Sequence, residues 1–187
     1  VGCHPEEAGD QPSQVDGGPI GSRWPGLHAG HVGQRHVGLE DLLAGLDKHW
    51  QEAQDDLARG RIYAQELMKY GRLQRAEQVL SKIVAKGGTG DDWLALGVTQ
   101  LQQTKLDKAE GTLKGAQNLL KTNPYPALHL AKLFAQKEEK EKEREQIDKA
   151  LDIDANNVDA WAYLFQTIRK DGDADKAIAE LEKLSET

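Results

Sequence analysis

This chain has little of what most functional classes need. Its 187 residues include a single cysteine, Cys3, so neither an intramolecular disulfide framework nor a four-cysteine zinc site is available. Basic residues do not predominate: 24 Lys and Arg stand against 31 Asp and Glu, a net charge of −7. That balance argues against a nucleic-acid partner, which calls for a basic face. No stretch approaches the roughly 18–20 consecutive apolar residues that span a bilayer, so no transmembrane segment is expected. The charged-then-apolar plan of a secretory signal peptide is missing from the first residues. The compartment stays open, because a reduced cytosol and a disulfide-free periplasm look alike in such a chain. A cytoplasmic location is the first expectation; periplasmic and lipid-anchored ones are the alternatives. The last rests on Val1-Gly2-Cys3, which resembles the tail of a bacterial lipoprotein cleavage site without its upstream apolar run.

Catalytic equipment is missing too. No Ser/His/Asp set, paired carboxylates or phosphate-cradling loop can be identified, and no cofactor is implied. Gly87, Gly88 and Gly90 follow no strand and read as a connector between helices. Cys3, His4, His28, His31 and His36 have metal-binding side chains, but their loose spacing in a glycine-rich context offers no scaffold for a site. An enzyme is not expected, nor a metal centre.

What is present falls into two parts. Residues 1–38 hold nine of the 19 glycines, four of the six prolines and four of the six histidines. With almost no periodic apolar residues, this segment cannot offset a backbone ordering cost of about 1–2 kcal/mol per residue, and disorder is expected. From Leu39 onward the pattern is helical. Leu39, Leu42, Leu43, Leu46, Trp50 and Ala53 form one stripe of a first helix, placed at 39–54, and Asp55 and Asp56 are candidate caps for the next.

Beyond that helix the chain repeats itself. Leu96, Leu130 and Leu164 recur at 34-residue intervals; Trp93 and Trp161 mark a second position, and Ala76, Ala109 and Ala177 a third. A fixed period of this size marks stacked helix–turn–helix units, none of which buries its apolar face alone. Four units follow, at 57–89, 90–123, 124–157 and 158–187. Gly71 and Gly172 mark the turn inside the first and last, and Thr104 and Glu138 occupy the same place in the middle two. Asn123-Pro124 and Ala155-Asn156-Asn157 separate successive units.

These residues resemble the tetratricopeptide repeat. Unit two carries Trp93, Leu96, Gly97, Ala109, Leu113 and Ala116 at the signature spacing, and unit four carries Trp161, Leu164, Gly172, Ala177, Leu181 and Leu184. Units one and three match through Tyr63, Ala64, Leu67, Gly71, Ala76, Leu80 and Ile83, and through Leu130, Ala131, Phe134, Ile147 and Ala150. Two departures stand out. Gly60 sits where a tryptophan is usual, and Glu143 where a small residue is expected. Nine charged residues run in succession from Lys137 to Glu145, alternating in sign as on a solvated helix face.

The resemblance implies an all-α fold, a right-handed α–α superhelix of about four units with an extra N-terminal helix. It further implies a non-catalytic scaffold whose first helices line a concave groove for a peptide segment of a protein partner. Carried over residue by residue, unit one supplies Arg61, Gln65, Met68 and Lys69 to that groove. Unit two supplies Asp91, Leu94, Ala95, Val98 and Leu101, and unit three Tyr125, Leu128, His129, Lys132 and Ala135. Unit four supplies Asp159, Ala162, Tyr163, Gln166, Arg169 and Lys170. Some relatives grip a C-terminal carboxylate with Lys and Asn across three units. Here Arg61, Gln65, Ala95, Tyr125 and His129 occupy those places, so a two-carboxylate clamp is not expected. A looser carboxylate contact by Arg61 or Lys132 stays open. Two other readings stand beside the groove. The apolar stripe Ala177, Ile178, Leu181 and Leu184 suits a homodimer through the terminal repeat, and the first 38 residues suit the leash of an accessory factor in a cell-envelope assembly.

Overall fold

A computed structural model describes residues 38–172 and, beyond them, the helical and exposed positions Asp175, Ile178, Ala179 and Glu182. The glycine-rich segment with Cys3 and its four histidines lies outside the described residues. So do Ala177, Leu181 and Leu184 of the last expected helix.

Among the described residues eight helices follow one another and no strand occurs. They are α1 (Leu39–Glu52), α2 (Leu57–Lys69), α3 (Leu73–Ala85), α4 (Gly90–Gln102), α5 (Leu106–Leu119), α6 (Tyr125–Gln136), α7 (Lys140–Ile153) and α8 (Val158–Asp171). The fold is an all-α superhelix of hairpins: α2–α3, α4–α5 and α6–α7 are complete, α8 opens the next, and α1 precedes them. Local chemistry starts several of these helices. Asp56 accepts a hydrogen bond from the Arg59 amide at the head of α2, and Asn157 accepts one from the Ala160 amide at the head of α8. At the head of α4, Thr89 and Asp92 close a reciprocal capping box.

The turns inside the hairpins share one geometry. Gly71, Thr104, Glu138 and Gly172 all have positive φ, between 57° and 77°. In the three complete hairpins the residue after this position donates its N–H to the carbonyl five residues back, Arg72 to Leu67, Lys105 to Gln100 and Glu139 to Phe134. This is the Schellman stop, in which a left-handed residue lets the last carbonyls of a helix find donors. Glycine adopts that conformation without penalty, whereas Thr104 and Glu138 carry a Cβ into it. Thr104→Gly and Glu138→Gly are each expected to stabilise the fold by about 1 kcal/mol, read as a rise in urea midpoint at constant m-value. A fall would show that the side chains contribute more than the backbone strain costs.

Four apolar clusters run along the stack. The first joins α1 to the first hairpin through Leu43 and Trp50, packed with Tyr63, Leu67, Val79, Leu80 and Ile83. Trp50 is 1% exposed. It lies flat against Gly60, where an added Cβ would come within 2.6 Å of Cζ3. Units two and four carry Trp93 and Trp161 at the position of Gly60. Unit one leaves that position bare, and α1 fills the space from outside.

Charge also links neighbouring hairpins. Asp47 on α1 pairs with Arg75 on α3 and accepts the Tyr63 hydroxyl. Glu77 on α3 pairs with Lys105 at 2.5 Å, and Glu110 on α5 with Lys137 at 2.7 Å. Lys105 and Lys137 each sit in the turn of the following hairpin, so the bridge occurs in two successive repeats. Glu143 stands on α7 where Ala76 and Ala109 stand on α3 and α5, one residue before the position of Glu77 and Glu110. It accepts the Tyr163 hydroxyl at 2.9 Å, so the residue that departs from the repeat pattern is what α7 uses to reach α8.

Candidate functional site

The first helices α2, α4, α6 and α8 form one wall of the stack and are tied together directly near their N-terminal turns. Arg61 on α2 donates to Asp92 on α4 through Nε at 2.8 Å and Nη2 at 2.7 Å, and the Tyr125 hydroxyl on α6 donates to Asp159 on α8 at 3.1 Å. The second helices α3, α5 and α7 lie behind.

The structure distributes the sequence-derived groove residues unevenly along this wall. Arg61 is committed to Asp92, whose carboxylate also accepts the Thr89 amide and hydroxyl. The Arg61 hydrogen bonds, against the opposing effect of burial, hold Asp92 below the usual carboxylate range. Arg61 is therefore a strut between hairpins. Gln65 is exposed, while Met68 and Leu94 pack partly against the core and Val98 is half-buried. Leu101 and Leu128 are core residues, 6% and 2% exposed. Leu101 sits with Leu113, Leu130 and Phe134, and Leu128 with Ala127, Ala150 and Ala160. Gln166 and Arg169 are exposed on α8.

Five of these residues come together. Leu128, His129, Lys132, Tyr163 and Gln166, joined by Tyr125, Asp159 and Ala162, line an open cavity of about 320 Å³ between α6 and α8. Its lining is mixed: Leu128, Ala162 and the two tyrosine rings supply apolar surface, and His129, Lys132, Asp159 and Gln166 supply polar groups. Asp159 holds Tyr125 and raises the phenol's pKa. Burial, with the Lys132 ammonium nearby, pushes His129 down to about 4, so its imidazole is neutral near pH 7. The Lys132 ammonium lies 5.9 Å from the centre of the Tyr163 ring. Burial and the bond to Glu143 raise the Tyr163 hydroxyl's pKa.

A larger cavity, about 890 Å³, opens on the other side of the stack between α1 and α3, with α5 at its edge. It is lined mostly by charged and amide groups, and its carboxylates Asp47 and Glu77 are already paired with Arg75 and Lys105. It holds none of the groove residues, which all lie on the first helices. Among the described residues no group of three or more His, Cys, Asp or Glu could hold a metal ion, and no helix is long and apolar enough to cross a membrane.

Sequence reading did not foresee the partner of Arg61. A signal was present, since Thr89 followed three residues later by Asp92 is a capping-box pattern that fixes the carboxylate at the head of α4.

No family model matches the chain, and no curated protein does. Solved structures do. A crystal structure of MamA is similar at 17% identity and a TM-score of 0.68, covering 79% of this chain and 87% of that one. MamA from Desulfovibrio magneticus RS-1, residues 41 to the end, gives 19% identity and 0.67, covering 79% and 84%. YrrB, described as a TPR protein with an unusual peptide-binding site, gives 18% and 0.60, covering 78% and 75%. At such identities the likeness concerns the fold, and that fold is the tetratricopeptide-repeat superhelix.

Proposed function

We propose that this protein is a non-catalytic scaffold that holds a peptide segment of a partner protein on the wall formed by α2, α4, α6 and α8. The observation that carries the reading is the cavity between α6 and α8, where five groove residues from successive hairpins converge on one open space that offers both apolar and polar surface. YrrB, with the same fold, is described as having a peptide-binding site, which supports the reading by analogy. Leu94 and Val98 extend a partly apolar strip along α4, so the segment would run across more than one hairpin. Arg61 and Leu101 belong to the scaffold rather than to the contact surface.

Ala162 is exposed and lines the cavity. Ala162→Trp should fill the space without disturbing the core. Random 12-residue peptides displayed on phage and panned on the full chain should yield binders that lose about tenfold or more in affinity for this variant, with its helical circular dichroism unchanged. Binders indifferent to Ala162→Trp would place recognition elsewhere on the molecule and overturn the groove.

A further inference from the structure

The cavity between α6 and α8 has a polarity of its own. α6 and α8 are both first helices and run in the same direction. Their N-terminal ends carry Tyr125 and Asp159, bonded to one another. Towards their C-terminal ends lie Lys132 on α6 and Gln166 and Arg169 on α8. Ten residues separate Asp159 from Arg169, about 15 Å along the helix axis. The negative charge at one end is thus partly satisfied and kept away from the cationic end.

The cationic end is the unusual one. In a chain with net charge −7, cations from the first hairpin to the turn of the third are mostly spent on carboxylates. Arg61 pairs with Asp92, Arg75 with Asp47, Lys105 with Glu77 and Lys137 with Glu110. Lys132 and Arg169 have no carboxylate partner among the described residues. The ammonium of Lys132 faces the Tyr163 ring instead, a contact that steadies it over the cavity without neutralising it. His129 adds no positive charge near pH 7, so the positive charge in the cavity's lining is that of Lys132.

The space is sized for one side chain. About 320 Å³ is the volume of roughly ten liquid water molecules. Tyr125, Leu128, Ala162 and Tyr163 would release that water to a single large apolar group.

Resting on the groove reading above, we infer that the occupant is an internal peptide segment that places one large apolar side chain between Tyr125 and Tyr163 and follows it, towards the helix C-termini, with an acidic side chain against Lys132. An internal carboxylate is favoured over a chain terminus. A terminal carboxylate asks for several converging donors, and here one ammonium and the more distant Arg169 serve an open trough.

The test uses the same peptides panned on the full chain, displayed through their C-termini so that no free terminal carboxylate is presented. Binders sensitive to Ala162→Trp should be enriched in a Phe, Leu or Trp with an Asp or Glu within two residues. A selected sequence made with acetyl and amide ends should lose about tenfold or more when its carboxylates become carboxamides. It should lose as much against Lys132→Glu, less against Lys132→Gln, and should weaken as salt rises. Lys132 is exposed, so these variants keep the fold. Binders that need the cavity yet ignore both the carboxamide change and Lys132→Glu would overturn this inference and leave the groove standing. A panning that returns no cavity-dependent peptide would overturn both.

Discussion

Replacing Trp50 with alanine is expected to cost up to about 3–5 kcal/mol, the range for removing a large aromatic side chain from a packed site. Trp50 is almost fully buried, and the groove it fills is made by the bare backbone at Gly60 with Ile83 beside it. Gly60 has no side chain to extend into that space, so only partial relaxation by Ile83 and its neighbours can offset the loss. The loss should be local. Repeat stacks behave as chains of nearest-neighbour couplings, so the ceiling on the effect is the docking free energy of α1. Hydrogen exchange in α1 should accelerate strongly, while the amides of α5 and α6 hold their protection. The ion pairs of α1, Asp47 with Arg75 and Glu40 with Arg72, join exposed or half-exposed side chains and cannot keep the helix in place alone. If α1 exchanges no faster in the variant, the tryptophan is not what anchors it.

Asp92→Ala is the second large effect, about 2–4 kcal/mol. Its carboxylate accepts two bonds from Arg61 and two from Thr89, so one substitution removes both a bridge between hairpins and a helix cap. The Arg61 side chain is 37% exposed and regains water, which keeps the cost below that of stranding a fully buried charge. Asp92→Asn, which retains one acceptor, should cost about half as much. The same residue sets part of the acid response. A carboxyl whose pKa is lower folded than unfolded adds stability above its unfolded value, about 4, and loses it as pH falls through the folded value. Glu110, held by Lys114 and Lys137, comes down to about 2. Asp47 and Glu77 are also lowered: burial opposes the shift, but bonds to Arg75 and to Lys105 outweigh it. All four have the same sign. Urea midpoints should therefore be flat near neutrality and fall between about pH 4.5 and 2, and the fall should be shallower in Asp92→Asn. An equally steep acid limb in that variant would remove Asp92 from the account.

The order of amino acids was enough for the architecture. A period near 34, the alternation of small and large apolar positions, and glycine or its substitutes at each hairpin turn are all legible within one repeat length. Each reflects a local rule of helix geometry or capping, and each recurs, which is why Thr104 and Glu138 could be aligned with Gly71 and Gly172 before their common backbone geometry was known. Candidate groove residues were legible only as positions on the first helices. Nothing in a 34-residue pattern says whether Leu128 faces a partner or the core, because Ala127 and Ala160 settle that from two different helices.

What the sequence by itself determined, then, is a stack of helical hairpins with an acidic surface and a wall of first helices. Tertiary structure alone decided which cations on that wall pair with a carboxylate among the described residues. Arg61 and Lys132 look alike in a one-dimensional reading, both basic and both on first helices. Arg61 meets Asp92 about one repeat further on and becomes a strut; Lys132 faces the Tyr163 ring and meets no carboxylate among the described residues. The difference arises because charge pairing depends on which side chains lie within hydrogen-bond reach across hairpins. That distance is set by the packing of whole helices and not by any neighbour along the chain.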